Sequence, residues 1–261
     1  MPYANNNGVK IYYEVEGQGP AIVLVHGAAD DMSMWRRRGH VNALKDNYQL
    51  ILVDARGHGR SDKPFEVNAY GTTMTEDVIT LIDTLGISMA TYCGYSMGAW
   101  IGFMLTKKHL KRFNSFILGG WAPLRDDKLV KMDKENADGL KLLVLDPEAA
   151  FKQRERSVGR PFTDEEKKRL LSTNSRALAA VFGSMVNEST FTTKDLSRIN
   201  VPCLVYCGDL DPQYQGVKMS TSSMPIADFV SLPGLDHVTA FARSDIMIPR
   251  IKEFLAQVKK V

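Results

Sequence analysis

Six short runs of consecutive apolar residues, several of them rich in β-branched side chains, are spaced along the chain. Such runs are typical of strands that a fold buries on both faces. An earlier segment, Val9–Val15, alternates apolar and polar residues, which predicts a strand with one face exposed to solvent. The predicted buried strands are Ala21–Val25, Tyr48–Val53, Ala90–Cys93, Phe113–Leu118, Cys203–Cys207 and Phe229–Leu232.

Apolar residues recur at helical spacing between several of these runs. In the segment Thr73–Leu85, for example, Met74, Val78 and Leu81 share one helix face, and Gly86 is suited to end the helix. The alternation of strands and helices predicts an α/β fold with a mostly parallel sheet flanked by helices on both faces. The predicted helices of this part are Met34–Leu44, Thr73–Leu85, Met97–Lys107 and Ile246–Val258.

The pattern changes in the segment 123–196, where charged residues become frequent and β-branched runs stop. We interpret this segment as a helical cap, or lid, inserted into a core domain formed by residues 1–122 and 197–261. The alternative is that its helices continue the alternating layers, but only Leu142–Leu145 resembles a strand within about 75 residues, which is long for a crossover. The predicted cap helices are Asp126–Ala137, Pro147–Val158, Thr163–Leu171 and Ser175–Asn187, with a turn at Gly159-Arg160-Pro161.

Composition narrows the class of protein without naming a reaction. The chain has 261 residues and a net charge of +3, which does not indicate a nucleic-acid partner. Its three cysteines, Cys93, Cys203 and Cys207, lie in apolar runs, so we expect buried thiols in a reducing compartment rather than disulfides. Met1–Asn7 has no apolar segment of the secretory type, and no apolar run is long enough to span a membrane. We therefore predict a cytoplasmic protein; the oligomeric state stays open.

One strand passes into a helix within one or two residues, through Gly94-Tyr95-Ser96-Met97-Gly98. Such a corner forces the backbone of its central residue into strain, and a Cβ two residues away on either side would strike a neighbouring element. The pattern Gly-x-Ser-x-Gly matches a nucleophile elbow, which presents the serine hydroxyl above the sheet. The alternative is a tight turn that contains a serine by chance.

Two further polar residues follow later strands, and together with Ser96 they supply a hydroxyl, an imidazole and a carboxylate. Asp211 comes after the strand Cys203–Cys207, and His237 comes after Phe229–Leu232. A serine hydroxyl needs a base within hydrogen-bond reach, and an imidazole needs a third group to hold its tautomer. Because the carboxyl ends of parallel strands meet at one sheet edge, we expect both residues to lie near Ser96.

With these residues and their order, the chain resembles the α/β-hydrolase superfamily, and within it the capped esterases and enol-lactonases. The resemblance covers nearly the whole chain, and the predicted cap is its least specific part. The motifs that carry it are His26-Gly27, Asp54-x-Arg56-Gly57-x-Gly59-x-Ser61, Gly94-x-Ser96-x-Gly98, Gly208-x-x-Asp211 and Gly234-x-x-His237.

The resemblance implies a role for each of these residues. Ser96 would be the nucleophile, His237 the general base and then the general acid, and Asp211 the group that orients the imidazole. The backbone N–H groups of Ala28 and Met97 would form the oxyanion hole.

Other side chains compete for these roles. Asp209 could orient the imidazole instead of Asp211, but the family's acid lies three residues after the glycine. Asp236 fits a charged loop residue, and His26 a structural histidine rather than a base. His58 fits a loop brace.

The remaining polar residues of the motifs and the two remaining histidines fit structural or surface places. Asp54 and Arg56 are interpreted as a pair that braces a loop. His40 and His109 are expected on helix surfaces.

Serine at the elbow favours acyl transfer to water, whereas aspartate there would suggest epoxide or dehalogenase chemistry. We therefore predict a hydrolase of small to medium carboxylic esters, and also of lactones. The apolar side chains proposed for its substrate pocket, of which half or more are expected to be plain core, are Trp121, Phe151, Phe182 and Met185, with Met97, Trp100 and Leu171.

Two other functions stay open on the same residues. One is carbon–carbon bond hydrolysis or perhydrolysis, and the other is a ligand receptor that keeps the three residues but turns over slowly. We expect no metal and no cofactor: Gly57-x-Gly59 lacks the third glycine and the helix of a dinucleotide site. The expected partner is a small-molecule ester, with neither a nucleic acid nor a membrane.

Overall fold

The computed structural model describes residues 2–158, 161–164, 167–168, 171, 174–187 and 191–258, and within them one sheet of eight strands. The order across the sheet is β1-β2-β4-β3-β5-β6-β7-β8. The pairs β1–β2 and β2–β4 are antiparallel and the other five pairs are parallel, as predicted for a mostly parallel sheet. The strands are β1 (Tyr3–Asn6), β2 (Val9–Glu16), β3 (Ala21–Val25), β4 (Gln49–Val53), β5 (Ala90–Tyr95), β6 (Phe113–Gly119), β7 (Cys203–Gly208) and β8 (Ala227–Leu232).

Helices cover both faces of this sheet. They are α1 (Ser33–Arg37), α2 (His40–Leu44), α3 (Thr73–Thr84), α4 (Met97–Lys108), α5 (Asp127–Leu145), α6 (Pro147–Val158), α7 (Ser175–Asn187), α8 (Thr193–Leu196), α9 (Tyr214–Ser222), α10 (His237–Ala242) and α11 (Ser244–Val258). Single 3₁₀ turns lie at Val67–Ala69 and Leu110–Arg112. None of the described helices combines the length and apolar character needed to cross a membrane.

The continuous apolar runs of the central strands reflect burial on both faces. In β3, Val23 and Val25 pack into the cluster that includes α3 and α4, whereas Ile22 and Leu24 pack into the cluster that includes α1, α2 and α11. Successive strand residues point to opposite sides of a sheet, so a strand covered on both sides needs an apolar residue at every position.

Several elements differ from the prediction. The helix predicted over Met34–Leu44 is split into α1 and α2 at Gly39, whose φ of +79° ends one helix and starts the next. The prediction also missed β1 and three short helices, α8, α9 and α10, because segments of four to nine residues carry too little periodicity.

The segment 123–196 contains helices and, among its described residues, no strand. The run Leu142–Leu145 is the last turn of α5 rather than a strand. Asp126 caps this helix by accepting a hydrogen bond from the Leu129 N–H at 2.9 Å. Helices α5 and α7 pack along one another, with Leu178 in their shared cluster. The predicted turn at 159–161 and the predicted helix over 163–171 lie partly outside the described residues.

The carboxyl ends of the parallel strands align at one edge. Val25 of β3 pairs with Gly94 of β5, and Tyr95 pairs with Gly119 of β6. Gly119 in turn pairs with Tyr206 of β7. The loops that follow β3, β5, β6 and β7 therefore leave the sheet side by side, which is the arrangement that gathers distant loops into one site.

Candidate active site

The turn between β5 and α4 has the backbone of a strained corner. Ser96 has φ 54° and ψ −114°, outside the regions that residues with a Cβ ordinarily occupy. Its N–H donates to the Gly119 carbonyl at 2.8 Å, and its own carbonyl accepts from the Trp100 N–H at 2.9 Å. The strand on one side and the helix on the other thus hold the strained residue in place.

The two glycines that flank this corner are required by the space around them. A Cβ at Gly94 would overlap the backbone carbonyl group of Gly98 at the start of α4. A Cβ at Gly98 would overlap the carbonyl oxygen of Val25 at the end of β3. The steric reason predicted for both glycines is therefore confirmed.

The structure brings Ser96, His237 and Asp211 into contact. His237 Nε2 lies 2.9 Å from Ser96 Oγ, and His237 Nδ1 lies 2.6 Å from Asp211 Oδ2. A carboxylate can only accept, so Nδ1 carries the proton that it shares with Asp211, and Nε2 is left to accept from the serine hydroxyl. Asp211 is buried, and its second oxygen accepts from the Gln213 N–H at 2.9 Å.

Two neighbours hold His237, one of which the sequence analysis missed. Tyr95 Oη donates to the His237 carbonyl oxygen at 2.5 Å, and the two rings lie 5.4 Å apart. Asp236 caps α10 by accepting from the Val238 and Thr239 N–H groups at 3.0 and 2.8 Å. Tyr95 stands between the glycine and the serine of the elbow motif, and that position was the signal available in the sequence.

The competing carboxylates have other partners. Asp209 Oδ1 accepts from the Gly234 N–H at 2.7 Å, which ties two loops together. Asp236 is occupied by its capping bonds. Of the three carboxylates that sequence alone left open, Asp211 is the one in contact with the imidazole of His237.

His26 is a fully buried structural residue. Its Nε2 accepts from the Ala55 N–H at 3.1 Å, and its Nδ1 donates to the Gly27 carbonyl at 2.7 Å. Burial lowers the pKa of His26, because the charged imidazolium would lose its hydration. The ring of His58 meets it edge to face at 5.0 Å, and burial lowers the pKa of His58 to about 3. Both rings are neutral parts of the core.

Asp54 and Arg56 both brace the loop after β4, but they do so through separate partners rather than as a pair with one another. The Asp54 carboxylate accepts from the Met32 N–H at 2.9 Å and from the Arg60 N–H at 2.8 Å. The Arg56 guanidinium is buried and donates to both oxygens of Asp77, at 2.6 and 2.5 Å. These contacts hold the loop rather than face the cavity.

The prediction for His40 is wrong. The side chain is 1% exposed, stacks on Phe241 at 5.6 Å and meets the Trp35 ring at 5.0 Å. Its position in α2 faces inward because the split at Gly39 turns this helix relative to α1. His109 is half-buried just after α4, with Nε2 2.9 Å from Glu76 Oε1.

A cavity of about 320 Å³ opens above Ser96. Its lining residues are Ala28, Ser96, Met97, Trp121, Met132, Asp133, Asn136, Phe182, Met185, Asp211, Pro212, Gln213 and His237. Both residues predicted to supply oxyanion-hole amides, Ala28 and Met97, are among them. Met97 is the first residue of α4, so no carbonyl of its own helix accepts its N–H.

Three of the four predicted pocket residues, Trp121, Phe182 and Met185, line this cavity. Phe151 does not: it lies on α6 and packs with Leu143 of α5 in a separate cluster. An apolar residue on a helix can line a pocket or pack against a neighbouring helix. The sequence alone does not show which of these two positions it takes. Of the further candidates, Trp100 is buried in the core and Leu171 is exposed.

Two polar residues of the cavity wall, Asp133 and Gln213, were not predicted from the sequence. Asp133 lies on α5 in the same helical stripe as Leu129 and Ala137, four residues from each, and all three are buried. An acid inside an apolar stripe was a usable signal. Gln213 follows Asp211 by two residues and had no distinguishing signal.

No group of three or more metal-ligating side chains comes together in the part of the chain that the structure describes. The thiols of Cys93, Cys203 and Cys207 are buried and unpaired. Burial raises the pKa of the Cys203 thiol to about 12. Protonated, buried thiols are poor nucleophiles, which leaves the Ser96 hydroxyl as the candidate nucleophile of this site.

Comparison with known proteins finds an enol-lactonase and an epoxide hydrolase among those similar to part of this chain. The chain is 35% identical over 119 residues to 3-oxoadipate enol-lactonase 2 of Acinetobacter baylyi. The aligned region covers 44% of this chain and 42% of that protein. An epoxide hydrolase of Caballeronia sordidicola is 38% identical over 95 residues, 36% of this chain and 28% of that one. The chain thus spans less than half the length of these curated relatives.

A solved structure extends the likeness to the whole chain. The enol-lactonase from Burkholderia xenovorans LB400 superposes with a TM-score of 0.77 and 26% identity, covering 98% of this chain and 100% of that one. A family model for the alpha/beta hydrolase fold matches residues 20–188, more than half of the chain. The chain therefore belongs to the α/β-hydrolase family.

Proposed function

We propose that the protein is a serine hydrolase that cleaves carboxylic esters through an acyl-enzyme. One observation carries the proposal: Ser96 Oγ, the imidazole of His237 and the Asp211 carboxylate form a continuous line of contacts of 2.9 and 2.6 Å. The line ends at a cavity with a mainly apolar wall. A serine placed in this way has a base to take its proton and a space for the ester that it attacks.

In the first half of the reaction, Ser96 Oγ attacks the ester carbonyl carbon while its proton passes to His237 Nε2. The carbonyl oxygen becomes an oxyanion, and the N–H groups of Ala28 and Met97 are the donors proposed to stabilise it. One such donor is typically worth about 2.7–4 kcal/mol of transition-state stabilisation. His237 then gives its proton to the departing alkoxide, which leaves as the alcohol.

In the second half, a water molecule gives its proton to His237 and attacks the acyl carbon. The second tetrahedral intermediate collapses, the bond to Ser96 breaks, and the imidazolium returns the proton to Ser96 Oγ. The products are the carboxylic acid and regenerated enzyme. Asp211 stays ionised throughout and supports the positive charge of the ring.

The segment 123–196 is proposed to act as the cap of this site. Met132 of α5 and Phe182 and Met185 of α7 form part of the cavity wall, so these helices cover the strand ends. A cap of this kind limits the access of bulk water to the site and restricts the shapes of the substrates that can bind. The cavity volume of about 320 Å³ suits small to medium esters.

Lactones are the second candidate substrates, because two of the similar proteins are enol-lactonases. A lactone is an internal ester and requires the same steps. The similarity to an epoxide hydrolase is not carried over, since the residue at the elbow here is Ser96 and not the carboxylate of that chemistry. The cytoplasmic location remains a prediction from the unpaired cysteines.

Turnover of p-nitrophenyl acetate and butyrate tests the proposal. We expect Ser96→Ala to lower kcat by roughly 10⁴-fold or more, because nothing else in the site attacks the carbonyl. Ser222→Ala is the matched control: this exposed hydroxyl donates only to the Met219 carbonyl in the same helix, and its loss should leave the rate unchanged. Equal rates for the wild type and Ser96→Ala would contradict the esterase assignment.

A further inference from the structure

The cavity above Ser96 has a buried carboxylate in its wall. Asp133 projects from α5 with a side chain that is 6% exposed, and it lines the cavity together with apolar neighbours such as Met132. Removing a carboxylate from water is expensive unless it is paired and hydrogen-bonded. The reaction proposed above uses Ser96, His237 and Asp211 and gives Asp133 no part, so this acid needs another explanation.

A buried arginine holds one side of this carboxylate. Arg125 Nη1 donates to Asp133 Oδ2 at 2.5 Å, and Nη2 donates to the Leu129 carbonyl at 2.8 Å. The Arg125 side chain is 4% exposed, and its guanidinium lies over the Trp121 ring at 5.3 Å. The arginine is fixed behind the wall and does not itself line the cavity. It neutralises the acid and orients it.

The second oxygen of the carboxylate has no protein donor among the described residues. The hydrogen bond that the Asp133 side chain accepts goes to Oδ2, and the side chain keeps 6% exposure where it lines the cavity, so Oδ1 is not sealed from solvent. A ligand that supplies a donor to Oδ1 would replace water on a carboxylate that has little other hydration. Because Asp133 faces the cavity, the donor has to come from what the cavity holds.

A free donor lies in the same wall. Gln213 Oε1 accepts from the Ala122 N–H at 2.9 Å, which identifies the other side-chain atom as the amide nitrogen. That nitrogen donates to no described residue, and Gln213 is buried except towards the cavity. A hydroxyl group can accept from Gln213 Nε2 and donate to Asp133 Oδ1, whereas a carboxylate cannot donate at all.

The cavity offers no counterion to an acidic substrate. Neither lysine nor arginine is present among the described residues of its lining. A carboxylate on the substrate would therefore meet Asp133 with no unpaired lysine or arginine in the described lining, because the Arg125 guanidinium lies behind the wall and is already paired with Asp133. Charge and hydrogen-bonding capacity thus favour the same kind of ligand.

We propose that Asp133 selects ester substrates that carry a hydroxyl group in the part that fills the cavity, and that it rejects substrates that carry a carboxylate there. The inference rests on the proposed ester hydrolysis. Arg125 is the positioning residue of this pair, and Gln213 supplies the complementary donor.

Two matched series of six-carbon esters test the inference from either side of the ester bond. The acyl series comprises the p-nitrophenyl esters of hexanoate, 6-hydroxyhexanoate and adipate (the monoester). The alcohol series comprises the acetates of hexanol, of 1,6-hexanediol (the monoester) and of 6-hydroxyhexanoate. A hydrogen bond to a charged group is worth enough that we expect kcat/KM to favour the hydroxyl compound by about tenfold or more in one series. The carboxylate compound of that series should fall below the unsubstituted one by a similar factor.

Variants assign the preference to Asp133. In Asp133→Leu combined with Arg125→Met, both charges are removed together, so neither is left buried alone. We expect the hydroxyl-to-alkyl ratio of kcat/KM to fall to within about twofold of one. Asp138→Asn removes an exposed carboxylate of the same helix that pairs with Lys141 outside the cavity lining, and it should keep the ratio. If the double variant does not fold, Asp133→Asn should at least raise kcat/KM for the carboxylate compound relative to the unsubstituted ester.

The failures of the two proposals are distinguishable. Ser96-dependent hydrolysis of the unsubstituted esters with no hydroxyl preference in either series, or with a preference that survives loss of the Asp133 charge, overturns the inference alone. Absence of Ser96-dependent hydrolysis of every ester overturns the proposed function and the inference together.

Discussion

Tyr95 connects the elbow at Ser96 to the backbone of His237. It precedes Ser96 directly, and its hydroxyl donates to the main-chain carbonyl of His237, 142 residues further along. The side chain is buried, and burial raises the pKa of its phenol well above the ordinary value, so it stays a hydrogen-bond donor. A movement of the loop after β8 would thus have to break a bond anchored at the elbow.

We expect Tyr95→Phe to lower kcat by about fivefold with little change in KM, because one hydrogen bond that positions the imidazole is lost. Steady-state kinetics on p-nitrophenyl butyrate measures this. Tyr214→Phe is the control, since it removes an exposed hydroxyl that contacts Ser231 at 2.9 Å, away from the site. A change confined to KM would argue against a positioning role for Tyr95.

The two neighbouring acids after β7 offer a second test at the residue scale. Asp211→Asn should reduce kcat by roughly 10³–10⁴-fold, because the amide no longer holds the tautomer and charge of His237. Asp209→Asn keeps an oxygen that can accept from the Gly234 N–H, so its kcat should stay within about twofold of the wild type. The reverse pattern would show that Asp209 is the orienting acid.

The elbow depends on how closely the start of α4 approaches the end of β3. Gly98 lies in the first turn of α4 and touches the end of β3 with its backbone, so the helix can start directly above the sheet. Met97, the residue before Gly98, lines the cavity. A single methyl group added at position 98 would therefore change the spacing between β3 and α4.

Gly98→Ala should destabilise the fold by about 1–3 kcal/mol, because its Cβ would overlap the carbonyl oxygen of Val25. Gly139→Ala is the opposite case: this glycine lies in α5 with no atom near the Cβ that would be added. That change should stabilise by about 0.5–1 kcal/mol, the usual gain of alanine in a helix. Urea unfolding of both variants checks the contrast, and equal effects would contradict it.

The whole molecule buries three neutral histidines, His26, His40 and His58. His40 is surrounded by Trp35 and Phe241, and burial lowers its pKa to about 4. An unfolded chain takes up this proton near pH 6.5, while the folded chain does not until about pH 4. The stability from the neutral ring is therefore complete above pH 6.5 and is lost as the pH falls towards 4.

We expect the free energy of unfolding to decrease from pH 6.5 to pH 4.5, with His40 contributing up to about 1.4 kcal/mol per pH unit. His40→Phe removes this proton and should make the dependence shallower. Urea unfolding at several pH values measures both proteins. Parallel curves for the wild type and His40→Phe would contradict the argument.

Much of the fold was predictable because its signals are local. The apolar runs predicted every parallel strand of the described sheet, and Gly86, with φ +67°, ends α3 as expected. Gly39 was different: a glycine within a helical pattern does not reveal whether the helix continues or turns. The pattern over Met34–Leu44 therefore predicted one helix, and the face of His40 was assigned wrongly.

The sequence by itself determined the order of strands and helices and the strained corner at Ser96, because a strand buried on both faces and a tight turn each need particular residues locally. It also restricted the orienting acid to a few carboxylates after the strands. Tertiary structure alone decided that Asp211 rather than Asp209 meets the imidazole, that Phe151 packs against α5, and that Asp133 faces the cavity. These outcomes depend on how distant segments lie side by side, and the local sequence around a side chain does not specify which distant residue it will contact.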